Sequence, residues 1–191
     1  EIMLDKLHAR QLSAGIDTQR ATPSEALAGD IVIAEESPQT THLSIVDRDR
    51  MAVSLTYTLE NSFGSRVVVR GGGFLLNDEM NDFNWLPGVT NRQGRIGTAP
   101  NLVAPGKRML SSMCPIVVRR DGRPWLVTGS PGGRTIINTV LQVVVNMVDF
   151  RMDLRAAVDH PRLHHGWFPD QVSIEPELAA RYPMAVEQLQ S

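Results

Sequence analysis

With 191 residues the chain is long enough to bury one core, and 42% hydrophobic with 21% charged residues is the make-up of an ordinary globular protein. A net charge of -2, with no Lys/Arg-rich run, excludes a general nucleic-acid binder, which would carry a basic surplus. The single cysteine, Cys114, excludes a disulfide framework within the chain and leaves the redox compartment open, and no apolar run is long enough to predict a membrane span.

In chain order, Ile2, Leu4, Leu7 and Leu12 follow helical spacing and predict a helix over residues 2–16 that ends near Gly15. Residues 17–39, broken by Pro23, Gly29 and Pro38, read as a long connection. Residues 41–47 and 51–58 alternate apolar and polar around Asp47-Arg48-Asp49-Arg50, which predicts a β-hairpin. Met51, Val53, Leu55 and Tyr57 fall on one of its faces, and Ala52, Ser54, Thr56 and Thr58 on the other. Asn61-Ser62-Phe63-Gly64 predicts a turn, residues 67–69 a short strand, and Gly71-Gly72-Gly73 a bend. Residues 77–107 become polar and rich in Gly and Pro, a loop of the length that is usually functional. Asp121-Gly122, between residues 115–119 and 125–128, is a strong hairpin signal. Residues 134–150 give the clearest helix, Asp153 caps a shorter one through Val158, and the tail after Pro161 reads as loop. Hairpins segregated from helices predict a layered α+β class rather than a doubly wound parallel sheet.

Several residues admit a chemical reading beside a structural one. A threonine hydroxyl is a poor nucleophile without a base beside it. Cutting the chain before Thr40 would free its α-amino group, whose pKa of about 7.7–8 suits general-base work near neutrality. Thr40-Thr41 reads equally as an ordinary strand start. Gly132-Gly133 can serve a turn that needs positive φ, or offer backbone N–H groups to an oxyanion. Taken alone, Glu60, Glu79 and Asp82 read as solvated surface charges, and Ser111 and Ser112 as turn serines. Adjacent His164-His165 on a strand would face opposite ways without a partner cluster, so no metal site is expected. Cys114, Met109 and Met113 read as packing residues.

Pro38-Gln39-Thr40-Thr41-His42-Leu43-Ser44-Ile45-Val46-Asp47 resembles the processing site of the γ-glutamyltransferases (γ-glutamyltranspeptidases). The resemblance continues in order through Thr56-Tyr57-Thr58-Leu59, Asn61-Ser62-Phe63-Gly64, Leu75-Leu76-Asn77-Asp78-Glu79-Met80-Asn81-Asp82-Phe83, Leu110-Ser111-Ser112-Met113, Thr128-Gly129-Ser130-Pro131-Gly132-Gly133 and Pro161-Arg162-Leu163-His164-His165. It implies part of an αββα sandwich of the N-terminal nucleophile hydrolase kind. Residues 1–39 would be the C-terminal end of a large subunit with its linker, and residues 40–191 a small-subunit catalytic segment. The chain is then expected to be truncated at both ends, to lack the large-subunit portion as a partner, and to retain the Gln39–Thr40 bond.

The same resemblance implies the roles. Thr40 attacks the Gln39 carbonyl, is freed as an N-terminus, and then takes a γ-glutamyl group from a glutathione-like substrate for transfer to water or an acceptor amine. Thr58 hydrogen-bonds Thr40. Gly132 and Gly133 form the oxyanion hole, Glu60, Glu79 and Asp82 bind the substrate ammonium, and Ser111 and Ser112 bind its carboxylate. No cofactor, nucleic acid or membrane partner is implied, and the resemblance implies a periplasmic or extracellular location. Two features depart from the commoner pattern: Glu60 stands where many relatives have asparagine, and Gln93 stands where some lids carry a gating tyrosine. The alternatives are a glutaryl (cephalosporin-type) acylase of the same family, and a non-catalytic, unprocessed fragment or interaction module.

Overall fold

Three antiparallel hairpins and a 13-residue helix are the main elements among the described residues. The computed structural model describes residues 5–23, 39–84, 87, 99–166 and 170–190. The expected helix start at residues 2–4, much of the connection before Thr40, and loop residues 85, 86 and 88–98 with Gln93 lie outside the described residues.

Helix α1 spans Lys6–Ala14, with the Asp5 side chain accepting from the Leu7 N–H at its start and Gly15 at its end. Strands β1 (Thr41–Val46) and β2 (Ala52–Tyr57) pair in register from Thr41↔Tyr57 to Val46↔Ala52. Asp47 closes their turn by accepting from the Asp49 and Met51 N–H groups. The predicted strand at residues 67–69 is reduced to a single bridge, Val68↔Leu75, flanked by Val69 N–H to Phe74 O and Leu76 N–H to Val67 O. Three glycines in the bend leave too few consecutive side chains to extend a ladder.

Strands β3 (Ile116–Arg120) and β4 (Arg123–Thr128) join through Asp121 (φ 52°) and Gly122 (φ 76°). Two left-handed residues in succession make the turn whose twist matches the strands. One turn of 3₁₀ helix, Gly133–Thr135, leads into α2 (Ile136–Val148). Its buried stripe Ile136, Val140, Val143 and Asn146 follows the spacing of one helical face. Asn146 donates its side-chain amide to Ala157 O and accepts from the Met152 N–H at its backbone, seating α3 (Leu154–Asp159) against α2. Asp153 caps α3 as expected, accepting from the Ala156 N–H at 2.8 Å.

The tail departs from the loop that its sequence predicts. Strands β5 (Leu163–His165) and β6 (Val172–Ile174) form a short hairpin, followed by α4 (Pro176–Arg181) and α5 (Pro183–Gln190). The Gln142 side chain on α2 holds both the N–H and the C=O of Leu163. The Glu175 carboxylate accepts from the Arg162 N–H and pairs with its guanidinium at 3.0 Å. Three-residue strands have no periodicity to read; these long-range bonds supply what the local sequence lacks.

The β1–β2 hairpin contacts β4, and β2 also contacts β3. It turns its small, polar face inward: Thr56 is buried, and Ser54 donates to Thr128 O at 2.8 Å. Its apolar face, with Leu43, Ile45, Val53, Leu55 and Tyr57, stays 45–60% exposed.

Candidate active site around Thr40

Thr40 is half-buried and immediately precedes β1, while Gln39 is exposed. Thr40 and Thr58 flank the last pair of the hairpin, Thr41↔Tyr57, one on each strand's end. His42 and Thr56, the next pair along, share the inward face of the hairpin. The Thr58 hydroxyl oxygen accepts from the Glu60 N–H at 2.9 Å. Its own O–H is left to donate, as a hydroxyl has one proton and two lone pairs.

The segment after β4 runs beneath this face. Gly132 (φ 126°) and Gly133 (φ 54°) occupy conformations that side chains resist. The Gly132 carbonyl accepts from the Thr135 hydroxyl at 2.7 Å and from the Thr135 N–H at 3.0 Å. In a planar trans peptide the C=O and the following N–H point opposite ways. Thr135 therefore turns the Gly133 N–H away from the helix start. Among the described residues none accepts from the N–H of Gly132 or Gly133. Two uncommitted donors lie next to the positive end of α2, an arrangement that favours a developing negative charge. The sequence pointed to the glycines and missed Thr135.

Glu60, Glu79 and Asp82 come together although 19 residues separate the first two: one carboxylate oxygen from each lies within 4.8 Å of the others. Asp78 makes the junction by accepting from the Asn61 N–H at 3.1 Å and the Asn61 side-chain amide at 2.8 Å. Glu60 sits at φ 70°, a left-handed conformation costing a non-glycine residue about 1–2 kcal/mol. Residues Glu79–Asp82 form a 3₁₀ turn.

Burial, then the neighbouring Asp82 and Asp78 carboxylates, raises the Glu60 pKa, and burial raises that of Asp82. Glu79 is pushed up to about 7 by burial and then by Asp82, Glu60 and Asp78. Its Oε1 is enclosed without a hydrogen-bond partner. Three crowded carboxylates with one unmet acceptor call for a cation, and the donor set alone suits an ammonium or a metal ion.

Ser111 and Ser112 lie just ahead of β3, and the Ser111 hydroxyl oxygen accepts from the Met113 N–H at 3.2 Å. A residue that sequence reading left inside the long loop ties them to the carboxylates. Asn101 is 4% exposed. Its amide donates to Asp82 O at 2.6 Å and to Asn84 Oδ1 at 3.2 Å, and its Oδ1 accepts from the Leu110 N–H at 3.0 Å. His164 and His165 are engaged elsewhere, with Asn138 and with Asp170. Burial, then Arg134 and His165, lowers the His164 pKa.

A threonine just ahead of a strand and a glycine turn whose N–H groups no described residue accepts fit the α+β fold of the N-terminal nucleophile hydrolases, and solved structures of that class match this chain. A Helicobacter pylori γ-glutamyltranspeptidase variant aligns with a TM-score of 0.66 and 43% identity over 76% of this chain and 81% of the other. A Pseudomonas nitroreducens γ-glutamyltranspeptidase complexed with L-DON aligns with a TM-score of 0.66 and 48% identity over 76% and 79% of the two chains. The sequence model of the gamma-glutamyltranspeptidase family matches residues 1–190, and the chain belongs to that family. The glutathione hydrolase proenzyme of Escherichia coli is 46% identical over 175 residues, which are 92% of this chain and 30% of that protein. That of Pseudomonas aeruginosa is 47% identical over 167 residues, 87% of this chain and 29% of the relative. The chain therefore spans about a third of the length of these curated relatives.

Proposed function

We propose that Thr40 is the nucleophile of a self-cleaving γ-glutamyl transferase and hydrolase that acts on glutathione-like substrates. The observation that carries this reading is that, in a chain of this family, Thr40 stands just ahead of β1, on the hairpin whose inward face holds Thr128 and Gly129, the residues that lead into a glycine turn whose N–H groups no described residue accepts. The Thr40 hydroxyl attacks the Gln39 carbonyl, and the peptide nitrogen leaves as the Thr40 α-amine. Water then cleaves the resulting ester, giving a Gln39 carboxylate and an N-terminal Thr40. In turnover that amine takes the proton from the Thr40 hydroxyl as the oxygen attacks the γ-carbonyl. The Gly132 and Gly133 N–H groups receive the oxyanion, and the leaving amine departs with the proton. Water or an acceptor amine then attacks the γ-glutamyl ester and regenerates Thr40.

Glu60, Glu79 and Asp82 bind the substrate α-ammonium, which offers the missing partner for Glu79 Oε1. Ser111 and Ser112 bind the α-carboxylate, on a segment that Asn101 joins to Asp82. In this proposal residues 1–39 belong to the large-subunit side of the cut and residues 40–191 to the small-subunit side. The remaining large-subunit portion is the partner, and the protein works after export. The relatives' glutathione hydrolase names favour γ-glutamyl over glutaryl donors. The test is turnover of a γ-glutamyl anilide against a glutaryl amide by the full-length protein, with Thr40→Ala as control. Faster γ-glutamyl turnover that is lost in Thr40→Ala is expected. Faster glutaryl turnover would assign the acylase instead, and turnover surviving Thr40→Ala would remove Thr40 from its role.

A further inference from the structure

His42 follows Thr40 by two residues, on the strand β1 that Thr40 leads into. Its ring is held at both nitrogens, with Nδ1 2.9 Å from Thr56 Oγ1 and Nε2 2.9 Å from Ser44 Oγ. Thr56 is buried, which fixes that anchor. Burial lowers the His42 pKa and favours the neutral ring. A neutral imidazole donates from one nitrogen and accepts at the other, and two hydroxyls can serve either tautomer.

Gly129 lies against the ring. A Cβ at Gly129 would collide with Cε1, Nδ1 and Nε2 of His42. Unlike Gly132 and Gly133, Gly129 does not have a positive φ, so its backbone conformation does not demand glycine. The imidazole does. From the same face Ser54 donates to Thr128 O, so residues 128–129 are gripped by both strands of the hairpin just before the turn that ends in Gly132 and Gly133.

We propose that His42 is a positioning residue: its ring, seated in the space left by Gly129, sets the distance between the strand that presents Thr40 and the turn that presents the Gly132 and Gly133 N–H groups. The inference deepens the reading above and rests on it. His42 touches neither the substrate nor the reacting atoms in this scheme; it acts through Gly129. The nucleophile and the oxyanion donors lie on separate hairpins, and the ring spaces them.

The experiment is a double-mutant cycle in the full-length protein with a γ-glutamyl anilide, using His42→Ala, Gly129→Ala, the double variant and Thr40→Ala. Each single variant is expected to lower kcat about 10²-fold, the scale of a 1 Å misplacement of reacting groups. KM should change far less, because in this scheme His42 acts through Gly129 and holds no substrate-binding group. Removing the ring makes room for the new methyl group, so the double variant should be no worse than His42→Ala alone. His42→Gln, which keeps one donor and one acceptor, should recover part of the loss, and it replaces His42→Ala in the cycle if that variant does not fold. Losses that multiply to about 10⁴-fold in the double variant would overturn the role. So would an unchanged kcat in His42→Ala, or a lowered melting temperature with normal turnover. Activity surviving in Thr40→Ala would instead sink the nucleophile assignment itself. An inactive Thr40→Ala beside a multiplicative cycle would sink only the role of His42.

Discussion

Near neutral pH the Glu79 carboxyl of the unliganded chain is close to half-protonated, because burial and the carboxylates of Asp82, Glu60 and Asp78 push its pKa to about 7. A cation held among the three groups would reverse that shift, since a nearby positive charge favours the ionised form. Donor binding should therefore weaken as pH falls from about 8 to about 6, with KM rising as Glu79 gains its proton. Glu79→Gln should raise KM and flatten this dependence; a KM as steep in pH as that of the unaltered protein would show that another group is responsible. The stability sign runs the other way. Between 4.5 and about 7 the folded chain holds a proton at Glu79 that the unfolded chain has released. The folded state accordingly loses stability as pH rises through that window, and Glu79→Gln should raise the unliganded melting temperature near pH 8. In the proposed reading the crowding that binds an ammonium also strains the empty site.

At the scale of elements, Asn101 links the Glu79–Asp82 turn to the segment of Ser111 and Ser112, the two sides of the proposed donor site. Asn101→Ala leaves the Leu110 N–H and the Asp82 carbonyl without their partner, a loss of about 1–3 kcal/mol for buried groups. The account predicts a lower melting temperature and a higher KM for the γ-glutamyl donor, with kcat less affected. Steady-state kinetics and calorimetry on one preparation check both, and an unchanged KM would reduce Asn101 to a purely structural residue.

What the sequence made legible follows from range. The β1–β2 and β3–β4 hairpins, α2 and the Asp153 cap were readable because alternation, Asp-Gly and helical spacing are local signals. The β5–β6 hairpin was not, because Gln142 and Glu175 hold it from a distance. The carboxylate cluster was legible only through resemblance, since no spacing rule joins Glu60 to Glu79 across the Asp78–Asn61 clamp. For His42 a signal existed and went unused: it follows Thr40 by two residues, on the strand that Thr40 leads into.

The whole molecule has its polarity divided unusually. The β1–β2 hairpin turns hydroxyls and an imidazole inward and leaves Leu43, Ile45, Val53, Leu55 and Tyr57 open to water. Contiguous apolar surface of this kind marks an interface. In the proposed reading the large-subunit portion covers it, as befits a chain that spans about a third of its relatives. Residues 1–191 produced alone should then associate with increasing concentration, and replacing Leu43 and Leu55 by serine should suppress this. Light scattering across a dilution series reads the outcome; a monomer at every concentration would mean that this face needs no cover. No helix among the described residues is long and apolar enough to cross a membrane.

The nucleophile itself is tested most directly by the intact mass of the full-length protein, before and after incubation at neutral pH, beside Thr40→Ala. Two fragments that meet between Gln39 and Thr40, with the threonine at a new N-terminus, are predicted, and a single uncut chain is predicted for Thr40→Ala. A full-length protein that never splits there, or a Thr40→Ala variant that splits at the same bond, would contradict self-cleavage by Thr40 and the catalytic cycle built on its free amine.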